Sequence, residues 1–237
     1  MAKFDSDWIP QSAMTIFAHP DDAEFSCSGT VAKWAKAGCD ITYILITSGN
    51  AGTHDPKYTP ESLMEVRERE QHNACTVLGV KHIEFLRHDD GRLVADLNLR
   101  RELVRLIRQY KPEVVFCNDP TQVFWLNNRI NHPDHRAAGL AAIDAVFPAS
   151  EMELLWPEDG PAWKVHGVYV RTSEEVNTWI DISDTIDLKI KALREHHSQL
   201  DDYKDLEETI RQRAVDAGKE KGMLFAENFR VVRLKEE

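Results

Sequence analysis

Cysteine is scarce in this chain. Cys27, Cys39, Cys75 and Cys117 are the only four, and no two form a CxxC pair. That pattern excludes a disulfide-dense secreted scaffold and fits reduced thiols in a cytosolic protein. Long apolar runs are missing too. No stretch of about 18 apolar residues exists, so no transmembrane helix is expected. The opening MAKFDSDWIPQ has no apolar core and no cleavage site, so no signal peptide is expected. Basic charge is in deficit: 29 Lys and Arg stand against 40 Asp and Glu, a net charge of −11. This argues against holding nucleic acid by phosphate neutralisation, and against binding an anionic membrane. Repeats, low-complexity tracts and linkers are absent, so one domain over residues 1–237 is expected. Hydrophobic residues make up 42%, enough for a sizeable core.

What is present is an alternation. SAMTIF reads as a buried strand that stops at His19-Pro20. GTVAKWAKAG reads as a helix with Gly38 as its stop, and DITYILITSG as a strand closed by Gly49. Strand, helix, strand over so few residues is the unit of a parallel sheet. ESLMEVREREQHNACTVLG is then a helix, KHIEFLRH a strand, LNLRRELVRLIRQY a helix and EVVFCND a strand. HRAAGLAAIDAVF and SDTIDLKIKALREHHSQL read as helices, the latter with Ser183 as N-cap. KVHGVYVRT, NTWIDIS and NFRVVRL read as late strands. The fold class is α/β: Rossmann-like, mostly parallel, with helices on both faces. Two long loops, 119–131 and 148–163, interrupt the rhythm and carry Trp125, Trp156 and Trp163. Loops of that length are usually functional, so substrate specificity is expected there. The tryptophans suit either stacking on a sugar ring or a subunit interface. Trp34 and Trp179 are expected in the core.

Every strand tip in the first half is polar: His19-Pro20-Asp21-Asp22, Ser48-Gly49-Asn50, His88-Asp89-Asp90 and Asn118-Asp119. In a parallel α/β sheet these tips share the edge where ligands bind. The tripeptide His-Pro-Asp occurs twice, at 19–21 and 132–134. His19 and Asp22 are close enough to converge on one ion, and His135 opens a helix and offers a third ligand. Two histidines and a carboxylate form a catalytic zinc set with a position left for water; Fe(II) or Mn(II) suit it as well. Asp21 is then placed as general base. His132, beside Asp134, is expected as an imidazolium that stabilises an oxyanion or protonates a leaving amine. His196 and His197 read as helix-end surface or capping groups.

AHPDDAEFSCSGT followed by HPDH resembles the PIG-L/LmbE-like zinc-dependent deacetylases of N-acetylglucosamine-type substrates. The resemblance extends through ITYILITSGNAGT, EVREREQHNACTVLGVKHIEFLRHDDG, WIDISDTIDLKIKALREHHSQL and FAENFRVVRL, over a core of about residues 13–234. It implies metal ligands at His19, Asp22 and His135, a base at Asp21, and His132 oriented by Asp134. It implies a small N-acetylated amino-sugar substrate, contacted by Arg67 and by Asp89 or its neighbour Asp90, with Trp125 a further candidate. It also implies a homo-oligomer, and Glu24 as a partner of the metal ligands. Ser26 and Ser28 stand where the family often has glycine. Two rivals remain: a metal-dependent hydrolase of a non-sugar amide or ester, and a non-enzymatic sugar or nucleotide binder. The second lacks the GxGxxG phosphate fingerprint after the first strand.

Overall fold

Local chemistry sets where each element starts and stops. The structure, a computed structural model, describes residues 8–125, 129–171 and 175–234. β1 (Ser12–Phe17), α1 (Asp22–Lys36), β2 (Asp40–Thr47), α2 (Pro60–Leu78), β3 (His82–His88), α3 (Leu97–Tyr110) and β4 (Val114–Asn118) follow the sequence reading, except that α1 begins seven residues ahead of GTVAKWAKAG, straight after the β1 tip. Thr59 caps α2 by accepting from the Ser62 amide, while the Ser62 hydroxyl accepts from the Thr59 amide. Gly79, at φ 79°, ends it. A hairpin of β5 (Phe124–Trp125) and β6 (Arg129–Ile130) leads to α4 (Pro133–Val146). Then come β7 (Gly167–Arg171), β8 (Thr178–Asp181), α5 (Ile186–Arg194), α6 (His197–Leu200), α7 (Leu206–Gly218) and β9 (Ala226–Arg233). Ser183 is not the cap of α5. Its amide and hydroxyl both donate to Asp181, and this local turn delays the helix, so Thr185 takes the N-cap position.

The sheet runs β3-β2-β1-β4-β7-β9-β8. The first five strands pair in parallel, and β9 is antiparallel to both β7 and β8. β1 is the middle of the five parallel strands, and strand order reverses between β1 and β4. Such a reversal marks the ligand crevice of an open α/β sheet, at the carboxyl ends of those two strands. The pleat sends alternate residues to two cores. Ala13 and Phe17 join Val31 and Trp34 of α1 on one face. Met14 and Ile16 join Leu103 and Ile107 of α3 and Ala138 and Ala142 of α4 on the other. The small residues of α4 allow a close seat: a Cβ added to Gly139 would lie 2.4 Å from the Asn118 carbonyl oxygen. That approach fixes the start of α4 beside the tip of β4. Ser28, where the resemblance leads one to expect glycine, is buried within an unbroken α1, and its hydroxyl donates to the Glu24 carbonyl at 2.8 Å.

Residues 148–163 overturn one expectation. They lie at the amino-terminal edge of the sheet, away from the crevice. The Trp163 indole donates to the Pro112 carbonyl at 2.8 Å, just before β4 begins. Trp156 packs against the second core. The guanidinium of Arg108, near the end of α3, donates to the carbonyls of Ala149, Ser150, Met152, Trp156 and Gly160. This loop closes the base of its own fold and does not line the crevice. Trp34 is core as expected, whereas Trp179 is half-buried beneath the Lys221 ammonium.

Candidate metal centre and active site

The crevice is built from residues that follow strand ends. β1 delivers His19 and the turn into α1, and the loop after β4 delivers the start of α4. Three donors then face one point. His19 Nδ1 lies 3.2 Å from His135 Nε2 and 3.5 Å from Asp22 Oδ2, and His135 Nε2 lies 3.1 Å from Asp22 Oδ1. Bonds of about 2.0–2.1 Å to a tetrahedral ion put neighbouring donors about 3.3 Å apart, and these pairs are near that, with Asp22 meeting the two rings through different oxygens. His132 also groups with His19 and His135, and Asp90 and Asp134 with His19, closely enough to share an ion. The outer nitrogens fit too. His19 Nε2 faces Asp90 Oδ1 at 2.9 Å, and His135 Nδ1 faces Asn131 Oδ1 at 3.2 Å. Those acceptors place the ring protons on the outer nitrogens. A metal at the inner nitrogens then takes the place of a proton there. The residues present fit a divalent metal.

The electrostatics agree. Burial alone would lower the pKa of His19, but Asp134, Asp22 and Asp90 overcome it and hold the ring up to about 11. Burial opposes ionisation of Asp22, yet His135 and His19 drive it well below the usual carboxylate range. His135 is likewise raised by Asp22 against its own burial. The site is a buried pocket of carboxylate charge that calls for a cation.

Asp21 differs from its neighbour. Its backbone lies at φ 89°, ψ −26°, and its side chain makes no capping hydrogen bond to α1 among the described residues. The plain capping role therefore fails. Burial and then Asp22 raise its pKa, with Arg67, His196 and His19 pulling the other way. Asp21 is a buried carboxylate whose affinity for a proton is raised.

His132 caps α4 through Nδ1, which accepts from the Asp134 amide at 3.2 Å. A neutral ring therefore carries its proton on Nε2. Burial, then the neighbouring charge of His19, lower its pKa despite Asp134. The expected imidazolium is thus disfavoured. Nor does Asp134 orient this ring by its carboxylate. Those oxygens accept from the Gly91 amide at 2.7 Å and the Leu93 amide at 3.3 Å, and face His19 Nε2 at 3.5 Å. Asp134 ties the β3 loop to the histidine cluster instead.

The expected substrate contacts divide. Asp89 is 65% exposed and faces Arg92, so it is outside the site. Asp90 is inside: its amide donates to Asn50 Oδ1, its carboxylate accepts from the Ala51 amide and meets His19, and Gly91, at φ 79°, turns the chain just after it. Arg67 is buried and reaches the site from α2, donating to the carbonyls of Gly49 and Pro20 and lying 3.4 Å from Asp21. Glu70, three residues along α2, accepts from Ser198 and makes no pair with Arg67 among the described residues. The Trp125 side chain lies outside the described residues. Sequence reading missed His196, which is fully buried with Nε2 3.5 Å from Glu24. It also missed Gln71, one helical turn beyond Arg67 on α2, whose Oε1 accepts from the Asp21 amide.

Known proteins share this arrangement of chain. Diacetylchitobiose deacetylase of Thermococcus kodakarensis is 33% identical over 94% of this chain and 83% of its own. The structure of N,N'-diacetylchitobiose deacetylase from Pyrococcus horikoshii, in complex with an inhibitor, is 30% identical, with a TM-score of 0.86 over 94% of this chain and 84% of that one. A 4-carboxy-2-hydroxymuconate hydratase from Pseudomonas putida has a TM-score of 0.80 over 96% of this chain and 99% of its own, at 21% identity. That likeness concerns the fold alone, so the fold does not by itself name a reaction. The family model described as PIG-L, GlcNAc-PI de-N-acetylase, matches residues 14–146. The match opens in β1, which delivers His19, and closes with α4, which delivers His135; over half of its length, and through both halves of the histidine cluster, this chain belongs to the PIG-L family.

Proposed function

We propose that the protein is a metal-dependent N-deacetylase of N-acetylglucosamine-type substrates, releasing acetate and a free amine. The observation that carries this reading is the convergence of His19, Asp22 and His135 beside a separate carboxylate, Asp21, that no cap occupies. The substrate class comes from the relatives named for diacetylchitobiose, and from others named for N-acetylglucosaminyl malate and for an acetamido-glucopyranosyl inositol. His19, Asp22 and His135 would hold the metal, and zinc suits two imidazoles and one carboxylate. When bound, the metal supplies Lewis acidity at the acetyl carbonyl and makes a water in the site more acidic.

The chain's own residues do the rest. Asp21 takes a proton from water as the new C–O bond forms at the acetyl carbon. His132, neutral with its proton on Nε2, donates a hydrogen bond to the carbonyl oxygen as negative charge develops there. Asp21 then returns its proton to the departing nitrogen as the C–N bond breaks. Four buried free cysteines support a reducing, cytosolic setting.

The test is acetate release from N,N'-diacetylchitobiose and N-acetylglucosamine, set beside acetyl esters and non-sugar acetamides, with zinc supplied. The expected result is amide cleavage on the sugars. Asp21→Asn is expected to keep its metal and to lose about 10²–10⁴ in kcat. His135→Ala is expected to lose metal. Turnover confined to the esters would overturn the substrate class. Wild-type turnover by Asp21→Asn would overturn the base.

A further inference from the structure

Arg67 and Gln71 are four residues apart on α2, so they share one face of that helix. They act on the two sides of a single peptide bond. Arg67 Nη2 donates to the Pro20 carbonyl at 2.8 Å, and the Asp21 amide donates to Gln71 Oε1 at 3.2 Å. That peptide leads into Asp21, whose positive φ is a strained conformation for a residue with a side chain. Such strain persists only where the surroundings impose it.

The clamp continues inward. Gln71 Nε2 donates to Glu24 Oε1 at 2.9 Å, which fixes which end of the amide faces Asp21. The other oxygen of Glu24 faces His196 at 3.5 Å. Gln71, Glu24 and His196 are all 0% exposed. A fully buried carboxylate needs a donor and a compensating charge close by: Gln71 supplies the donor, and the His196 ring, which makes no hydrogen bond among the described residues, lies near enough to supply charge.

We infer that Gln71, oriented by the buried Glu24–His196 pair, is a positioning residue that holds the Pro20–Asp21 peptide in its strained form and so aims the Asp21 carboxylate at the reacting water. The inference rests on the proposed role of Asp21 as base. Gln71 does not touch the metal donors, so its loss should leave them in place.

The experiment is a double-mutant cycle on zinc-loaded protein with N,N'-diacetylchitobiose. Gln71→Leu is expected to lower kcat about 10- to 100-fold, the size of effect that misplacing a catalytic group produces. KM and zinc per chain should stay unchanged. In an Asp21→Asn background the same substitution should cost less than twofold, because nothing remains to be aimed. Glu24→Gln keeps an acceptor for Gln71 and disturbs packing less. It should show a smaller loss with the same non-additivity, and it serves if Gln71→Leu does not fold. Equal losses in both backgrounds would overturn the clamp, as would lost zinc or a change confined to KM. Wild-type turnover by Asp21→Asn would remove the base and the clamp together, whereas low turnover with additive losses sinks the clamp alone.

Discussion

Arg67 and Arg108 are the same residue type, 4% and 2% exposed, at opposite edges of one sheet. Arg108 directs five hydrogen bonds at five backbone carbonyls of the 149–160 segment. A guanidinium has five N–H donors, so Arg108 has a partner for every one. Arg67 reaches two carbonyls and one carboxylate, and its Nε has no partner among the described residues. The first arrangement is complete without any ligand. The second leaves donor capacity beside an acid whose pKa burial has raised. A buried cation whose donors are all used is a brace. One that is only partly used, next to a perturbed carboxylate, belongs to a site.

The largest expected effect breaks the brace. Arg108→Met should cost about 3 kcal/mol of stability, because several carbonyls lose a charged donor at once. At this chain length that lowers Tm by roughly 6–12 °C. Urea unfolding measures the loss, while kcat per folded molecule and zinc content should hold. Arg67→Met should do the reverse. It should lower kcat about 10²-fold by releasing the Pro20 carbonyl and Asp21, with a smaller change in Tm. A variant of Arg108 that folds well and loses turnover would erase the contrast. A sharper probe is Gly49→Ala. Gly49 sits at φ 63°, and an added Cβ would lie 2.2 Å from Arg67 Nη1. The methyl should displace the guanidinium and reproduce part of the Arg67→Met loss in kcat, a smaller effect than deleting the side chain.

The two edges also differ in how far they could be read from residues alone. The crevice was legible because strand tips of a parallel sheet share an edge, and the apolar runs of β1 to β4 mark those tips clearly. His19, Asp22 and His135 could be brought together on that ground. Which of Asp89 and Asp90 turns inward could not. That depends on where β3 releases the chain, and on the Asp90 amide donating a hydrogen bond to Asn50 Oδ1 forty residues away. The 148–163 loop misled because tryptophans in a long loop resemble a sugar platform. The corrective signal was Arg108 itself, four residues after the buried Val104 on the apolar stripe of α3. A charged residue on such a stripe must find partners inside. His196 read as a helix-end group, yet the break between α5 and α6 folds it over Glu24. Its burial comes from tertiary packing that no local pattern displays.

The smallest expected effect separates the edges by pH. Burial by itself would lower the pKa of His196. The Glu24 carboxylate at 3.5 Å outweighs it, Asp21 adds to it and Arg67 opposes, so the net shift is upward. The unfolded chain titrates this ring near about 6.5. With the folded pKa above the unfolded one, the stabilisation from protonated His196 is fully present below pH of about 6.5. It is lost as pH rises through the folded value. The difference in unfolding free energy between the wild type and His196→Gln, measured in urea from mildly acidic to mildly basic pH, should therefore be constant at the acid end and decline above it. The difference between the wild type and Arg108→Met should stay flat over the same range, because backbone carbonyls do not titrate. A flat His196 curve would mean that Glu24 is not held by a charged ring, leaving Gln71 of α2 as the partner that holds it.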